Sequence, residues 1–188
     1  MKFLVTGLGN IGPEYYNTRH NIGFQVLDAL VGGASNTAFE PARYGDKAVL
    51  KHKGRTFILV KPSTYMNLSG KAVNYWLKQE KIPVENLLVV TDDINLPFGT
   101  LRMRGKGSDG GHNGLKHIQE TIGGSKYPRL RFGVGNEFMP GRQINYVLGK
   151  WNEEEEAAME ERLKRASEAV LAFGAIGIAR AMNQFNNT

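Results

Sequence analysis

Gly7-Leu8-Gly9-Asn10-Ile11-Gly12-Pro13-Glu14-Tyr15-Tyr16-Asn17-Thr18-Arg19-His20-Asn21 separates an apolar run, Phe3-Leu4-Val5, from a helical pattern at Val26, Leu27 and Leu30. Three glycines and a proline mark a loop with tight turns. The loop is also crowded with polar chemistry: Asn10, Tyr15, Arg19 and His20. A strand on one side and a helix on the other can hold such a loop still, which is how binding and catalytic groups are commonly presented.

Read literally, Gly7 to Gly12 spells G-x-G-x-x-G after a strand, the form of a dinucleotide fingerprint. The surroundings disagree. A dinucleotide loop runs directly into a helix whose N-terminus meets the pyrophosphate, whereas here Pro13 follows and the polar loop continues to about His20. The acidic residue expected at the end of a second strand would be Asp28, which sits inside a helical pattern. An oxidoreductase therefore ranks low, and failure to bind NAD would dispose of it.

The rest of the chain alternates strands with helices, which indicates α/β. Residues 2–6 read as a buried strand, and positions 23, 26, 27 and 30 as one helical face closed by Gly32-Gly33. Residues 34–47 read as irregular. Ala48–Lys51 and Thr56–Lys61 form a hairpin around Lys53-Gly54. After Pro62, Asn67 or Ser69 is expected to cap a helix that buries Ala72, Val73, Trp76 and Leu77. Leu87-Leu88-Val89-Val90 is a continuous apolar run, hence a central strand, and it ends in Asp92 and Asp93. Thr100 to Arg104 alternates as a half-exposed strand. The glycine-rich segment Gly105 to Gly111 is expected to move. A helix with Leu115, Ile118 and Ile122 inward follows, then a strand over Leu130 to Val134. Asn152-x-x-Glu155 reads as a helix cap, with acidic residues suited to the dipole. Met159, Leu163, Ala166, Val170 and Phe173 then repeat at helical spacing, and Gly174 and Gly177 interrupt before a short last helix through Phe185. The hairpin makes the sheet mixed. The expectation is one domain over 1–188: a twisted mixed β-sheet flanked by helices.

Bulk composition narrows the function. The net charge is +6, although Glu153 to Glu156 form an acidic block, so the remainder is more basic still. Such a surface favours phosphates without requiring them. There is no cysteine, which excludes disulfides, thiolate metal sites and cysteine nucleophiles. No apolar run approaches a membrane span and no secretory pattern opens the chain, so the expected location is the cytoplasm. No metal-ligand spacing such as H-E-x-x-H and no G-x-S-x-G elbow is present.

Four histidines offer a base near neutral pH: His20, His52, His112 and His117. His52, beside the hairpin turn, and His117, inside a helix, are expected at the surface. His20 and His112 stand at glycine-rich loop-to-helix junctions. Asp92 closes a central strand, where α/β sites form, and could orient an imidazole. Asp93 suits a turn cap. Asn10, Asn67 and Asn113 each offer a donor and an acceptor without charge. Arg104 and Arg131 read equally well as a solvated strand face and as a phosphate grip.

The motifs G-L-G-N-x-G-x-x-Y-x-x-T-R-H-N-x-G from Gly7, Lys61–Gly70 (K-P-S-T-Y-M-N-L-S-G), Asp92–Pro97 (D-D-I-N-L-P), Gly110–Lys116 (G-G-H-N-G-L-K), Arg129–Gly135 (R-L-R-F-G-V-G), Tyr146–Gly149 and Ala181-Met182-Asn183 occur in that order. Together they resemble peptidyl-tRNA hydrolases of the bacterial type over essentially the whole chain, Phe3 to Phe185. Two departures are small: Ile11 stands where the family usually has proline, and Asp109 where a small residue is common. The resemblance implies the same mixed-sheet fold and hydrolysis of the ester in peptidyl-tRNA, with no cofactor, no metal, no membrane and a monomeric enzyme. It implies His20 as the general base on water, supported by Asp92. It implies Asn10 at the peptide end, and Asn67 and Asn113 at the ester and tRNA end, Asn67 chief among them for the oxyanion. Tyr15 and Tyr65 would border the tRNA acceptor end, Arg104 and Arg131 would grip phosphate, and His112 would belong to the site wall. The rival of another class is a non-catalytic RNA-binding protein on the same fold.

Overall fold

The computed structural model describes residues 1–188. Seven strands form one sheet: β1 (Lys2–Gly7), β2 (Glu40–Ala42), β3 (Gly45–His52), β4 (Arg55–Pro62), β5 (Leu87–Asp93), β6 (Leu101–Arg104) and β7 (Arg129–Gly133). Their order is β2-β3-β4-β1-β5-β7-β6. The four inner strands β4, β1, β5 and β7 are parallel, and β2, β3 and β6 run antiparallel to their neighbours. The sheet is mixed, as the hairpin requires. Lys53 and Gly54 both lie at positive φ, 49° and 76°, which is the two-residue turn that matches strand twist.

Six helices cover the sheet: α1 (Ile22–Gly32), α2 (Ser69–Gln79), α3 (Asn113–Ile122), α4 (Gln143–Val147), α5 (Glu153–Ile176) and α6 (Ile178–Phe185). The strands alternate between two cores. Phe3, Val5, Leu88 and Val90 join side chains of α1, α5 and α6, while Leu4, Leu87 and Val89 join α2 and α3. This explains the unbroken apolar run in β5: both faces are covered, so every position gains by burial, about 1.5–3 kcal/mol for each fully buried side chain.

The glycines of the opening loop serve packing. A Cβ on Gly7 would stand 2.3 Å from the Gly23 carbonyl oxygen, and one on Gly23 would stand 2.4 Å from the Leu8 nitrogen. Backbone therefore meets backbone where α1 crosses the end of β1. That contact fixes the loop between them.

Four expectations need correction. Residues 34–47 are not wholly irregular, because β2 occupies Glu40–Ala42 and β3 begins at Gly45. Neither Asn67 nor Ser69 caps α2 through its side chain. A 3-10 turn, Met66–Leu68, runs straight into the helix, and the Ser69 hydroxyl donates back to the Met66 carbonyl at 2.7 Å. The open N–H of Gly70 is instead met by His117 Nδ1 of α3 at 2.9 Å, so His117 is half-buried between helices and not a free surface residue. Gly174 does not interrupt α5. It lies buried within the helix, where a Cβ would collide with the Phe57 ring, and only Gly177 separates α5 from α6. The Asn152–Glu155 capping box forms as expected.

Candidate active site

The carboxyl ends of the parallel strands open into a cavity of about 380 Å³. Ligands of open α/β sheets sit in this place. The β1–α1 loop brings Asn10 and His20, the β4–α2 connection brings Tyr65 and Asn67, and β5 brings Asp92. His112 and Asn113 arrive with the N-terminus of α3, Arg131 with β7, and α4 closes the rim with Ile144, Val147 and Leu148.

Asp92 is the centre of the polar wall and is only 4% exposed. Its Oδ2 lies 2.8 Å from His20 Nδ1, and its Oδ1 lies 2.7 Å from His112 Nε2. A buried carboxylate is costly unless donors meet it, and here two imidazoles do so. Burial raises the Asp92 pKa most strongly as a single effect. The combined charges and hydrogen bonds of His20 and His112 outweigh it and hold the carboxyl well below its usual range. For His20, burial is again the largest single effect and lowers the pKa. The charge and hydrogen bond of Asp92 overcome it, so the imidazole is more basic than an ordinary histidine.

The two rings differ in their second nitrogens. His112 caps α3, with Nδ1 accepting from the N–H groups of Gly114 at 3.1 Å and Leu115 at 3.3 Å. A nitrogen that accepts is unprotonated, so the proton of neutral His112 is on Nε2, which donates to Asp92 and lies 2.8 Å from Thr91 Oγ1. His20 has the opposite arrangement. Its Nδ1–H points at Asp92, and Nε2 has no partner in the protein. A bare imidazole nitrogen at a cavity is what a general base on water requires.

These three residues are also the one group whose ligand atoms converge closely enough to consider a metal ion, all within 4.8 Å. Sequence spacing gave no sign of this cluster, because its members are brought together from three distant segments. The atoms that converge are already matched to one another as donors and acceptor. A metal would have to displace both protons that hold Asp92, so the donor set fits a hydrogen-bonded relay.

His20 is held by its neighbours. Arg19 is buried and does not line the cavity. It donates from Nη2 to Glu155 Oε1 at 3.0 Å and from Nη1 to the Tyr146 carbonyl at 3.2 Å, with its guanidinium 4.2 Å from the centre of the Tyr146 ring. The same Glu155 oxygen accepts the Asn152 N–H of the capping box at 2.9 Å. Breaking such a buried pair costs on the order of 3–5 kcal/mol. On the other side Asn21 clamps the loop, exchanging two 2.9 Å hydrogen bonds with the Asn10 backbone. The Asn10 side chain accepts from the Met66 N–H at 2.7 Å, which assigns its amide so that Nδ2 remains the free donor.

Among the residues singled out from sequence, Asn10, His20, Tyr65, Asn67, Asp92, His112, Asn113 and Arg131 line one cavity. Tyr15 and Arg104 do not. Tyr15 lies in the 3-10 turn Pro13–Tyr15, and Arg104, at the end of β6, donates to the Met103 carbonyl. Arg131 reaches the Ser108 carbonyl at 2.8 Å and Asp93 at 3.6 Å. Asp93 accepts from the Asn95 N–H and so caps a turn as expected. Sequence reasoning missed Asn21, Thr91 and the apolar rim on α4. Asn21 sits beside His20 in the opening motif, but its partner is backbone, which leaves no pairwise signal.

A family model described as peptidyl-tRNA hydrolase matches residues 4–188. The peptidyl-tRNA hydrolase of Phocaeicola vulgatus is 60% identical over 186 residues, covering 99% of each chain. That of Cytophaga hutchinsonii is 59% identical, covering 99% of this chain and 98% of its own. Among solved structures, peptidyl-tRNA hydrolase from Acinetobacter baumannii superposes with a TM-score of 0.91 at 33% identity, over 98% of this chain and 94% of that one.

Proposed function

This chain belongs to the peptidyl-tRNA hydrolase family, and from that premise we propose that His20, supported by Asp92, activates the water that cleaves its substrate. The enzyme hydrolyses the ester that joins the peptide carboxyl to the terminal ribose of peptidyl-tRNA, returning tRNA to translation. The observation that carries the assignment is the 2.8 Å contact between Asp92 Oδ2 and His20 Nδ1, which leaves Nε2 as the unpaired nitrogen.

In the first step His20 Nε2 takes a proton from water as the water oxygen attacks the ester carbonyl. The imidazolium that forms is stabilised by the buried Asp92 carboxylate. Negative charge gathers on the carbonyl oxygen, where the amide N–H groups of Asn67 and Asn113 serve as donors. Collapse expels the ribose oxygen, and the proton held by His20 returns to it. Asn10 Nδ2 faces the peptide end, Tyr65 offers a ring to the terminal bases, and Arg131, with Arg104 and Tyr15 outside the cavity, meets the acceptor end. We place His112 in the relay as a second donor to Asp92. The reaction uses no metal and no cofactor, and the unit that carries it out is one domain, 1–188, working as a monomer in the cytoplasm. No helix is long and apolar enough to cross a membrane.

The test is incubation with N-blocked aminoacyl-tRNA, with free aminoacyl-tRNA as control. Release from the first alone is expected. Binding of tRNA without release from either would favour the RNA-binding rival.

A further inference from the structure

We propose that a basic cleft on the outer side of α2 is a second phosphate-binding surface, one that holds the body of the tRNA. The proposal rests on the hydrolase reading, because it names where the rest of that substrate lies. The cleft has a volume of about 720 Å³ and is bordered by Tyr44, Lys71, Tyr75, Lys78 and Lys81. The three lysines are exposed, and none has a carboxylate partner among the ion pairs of the fold. Three exposed, unpaired cations along one flank leave that flank open to a polyanion.

The aromatic part of the cleft is preset. Tyr44 and Tyr75 meet edge to face at 5.5 Å, and the Arg43 guanidinium lies 5.1 Å and 5.6 Å from their ring centres. Tyr44 holds its place from a left-handed backbone, φ 62°, unusual for a residue of its size. Its carbonyl accepts from the Ser63 N–H at 2.8 Å, which ties the cleft to the segment that leads to Tyr65 and Asn67 at the cavity. Rings interleaved with cations suit a nucleic acid.

Position and charge agree. α2 starts at the cavity wall, so its lysines extend from that wall down one flank, roughly 15 Å at the rise of a helix. Arg104 and Arg131 lie toward the opposite edge of the sheet, on β6 and β7. A 3′ end in the cavity would thus leave the molecule between two groups of cations. The face carrying α5 is unsuited to phosphates: that helix has seven glutamates against Arg162, Lys164 and Arg165, whereas α2 has two lysines and no acid.

The test is the variant Lys71→Gln, Lys78→Gln, Lys81→Asn, compared with Lys51→Gln, Lys164→Gln, two lysines that border a separate cavity between α1, β3 and α5. Asparagine at 81 accepts the left-handed backbone found there, φ 55°. KM for N-blocked aminoacyl-tRNA should rise on the order of tenfold at low salt, and the log–log salt slope should flatten by about 0.7–0.9 for each phosphate no longer neutralised. The same ester on a short 3′ oligonucleotide, which lacks the tRNA body, should be cleaved as by the wild type. The control variant should match wild type on both substrates. An unchanged KM and slope would overturn the proposal, as would an equal loss on both substrates. Wild-type turnover of the short ester tests the hydrolase reading separately.

Discussion

His20 and His112 share one carboxylate, yet only one of them is free to act. Each donates to a different oxygen of Asp92, at 2.8 Å and 2.7 Å. The difference lies in the far nitrogen. In His112 it accepts two backbone N–H groups at the start of α3, and in His20 it meets no protein atom. The same side chain is therefore a helix cap and carboxylate support in one place and a poised base in the other. Residue type does not separate these roles, and neither does nearness to Asp92.

Mutating the two histidines should break the symmetry. His20→Ala is expected to cost on the order of 10²–10⁴-fold in kcat, the usual range for a general base, with tRNA affinity nearly intact. A near-normal kcat would sink the mechanism. Asp92→Asn should lose less, since its amide oxygen still accepts from one ring, but its NH2 opposes the N–H of the other ring, favours the wrong tautomer there and stabilises no imidazolium. The pH profile gives the sign. His20 must be neutral to act, and Asp92 raises its pKa. Activity should therefore rise with pH through a midpoint above that of an ordinary histidine, and Asp92→Asn should move the rising limb to lower pH. The losses in the double variant should fall short of additive, because both residues serve one proton transfer.

His112→Ala should fall below these in its effect on rate while being felt in stability. It removes a cap worth about 1 kcal/mol and one donor to a buried carboxylate, about 1–3 kcal/mol more. Thermal unfolding with kcat on the same sample would separate the two effects. A loss in kcat as large as that of His20→Ala would erase the proposed distinction.

Asn10→Asp probes the other end of the cavity. The Met66 N–H should still hold one oxygen, leaving the second where Nδ2 now stands. A carboxylate there attracts a free ammonium, so the preference for blocked over free aminoacyl-tRNA should narrow. Equal kcat/KM ratios in wild type and variant would remove Asn10 from selectivity. Last in size is chelation, which should leave turnover unchanged even when prolonged. A loss restored by added metal would reopen the His20–Asp92–His112 cluster as a metal site.

What could be read from the sequence follows from how local each feature is. The β5 run, the Lys53-Gly54 turn and the Asn152–Glu155 box are complete within a few residues, and all three appear as read. β2 is three exposed residues, so no alternation marks it, and α4 is five residues with one buried, too short for a helical period. The cap on α2 comes from His117, far along the chain, where no local rule can look. In the site, residue types and motif order brought out His20, Asp92 and the asparagines. The second bond of Asp92, to His112, needed the fold.

The division of labour between the two histidines can be observed atom by atom, as the protonation of each ring nitrogen by ¹⁵N NMR, with imidazole labelling and His20→Ala and His112→Ala for assignment. Above the His20 titration, neutral His20 should carry its proton on Nδ1 and neutral His112 on Nε2, and the His20 midpoint should coincide with that of kcat/KM. A neutral His20 protonated on Nε2, with no lone pair to offer water, would contradict its role as the base.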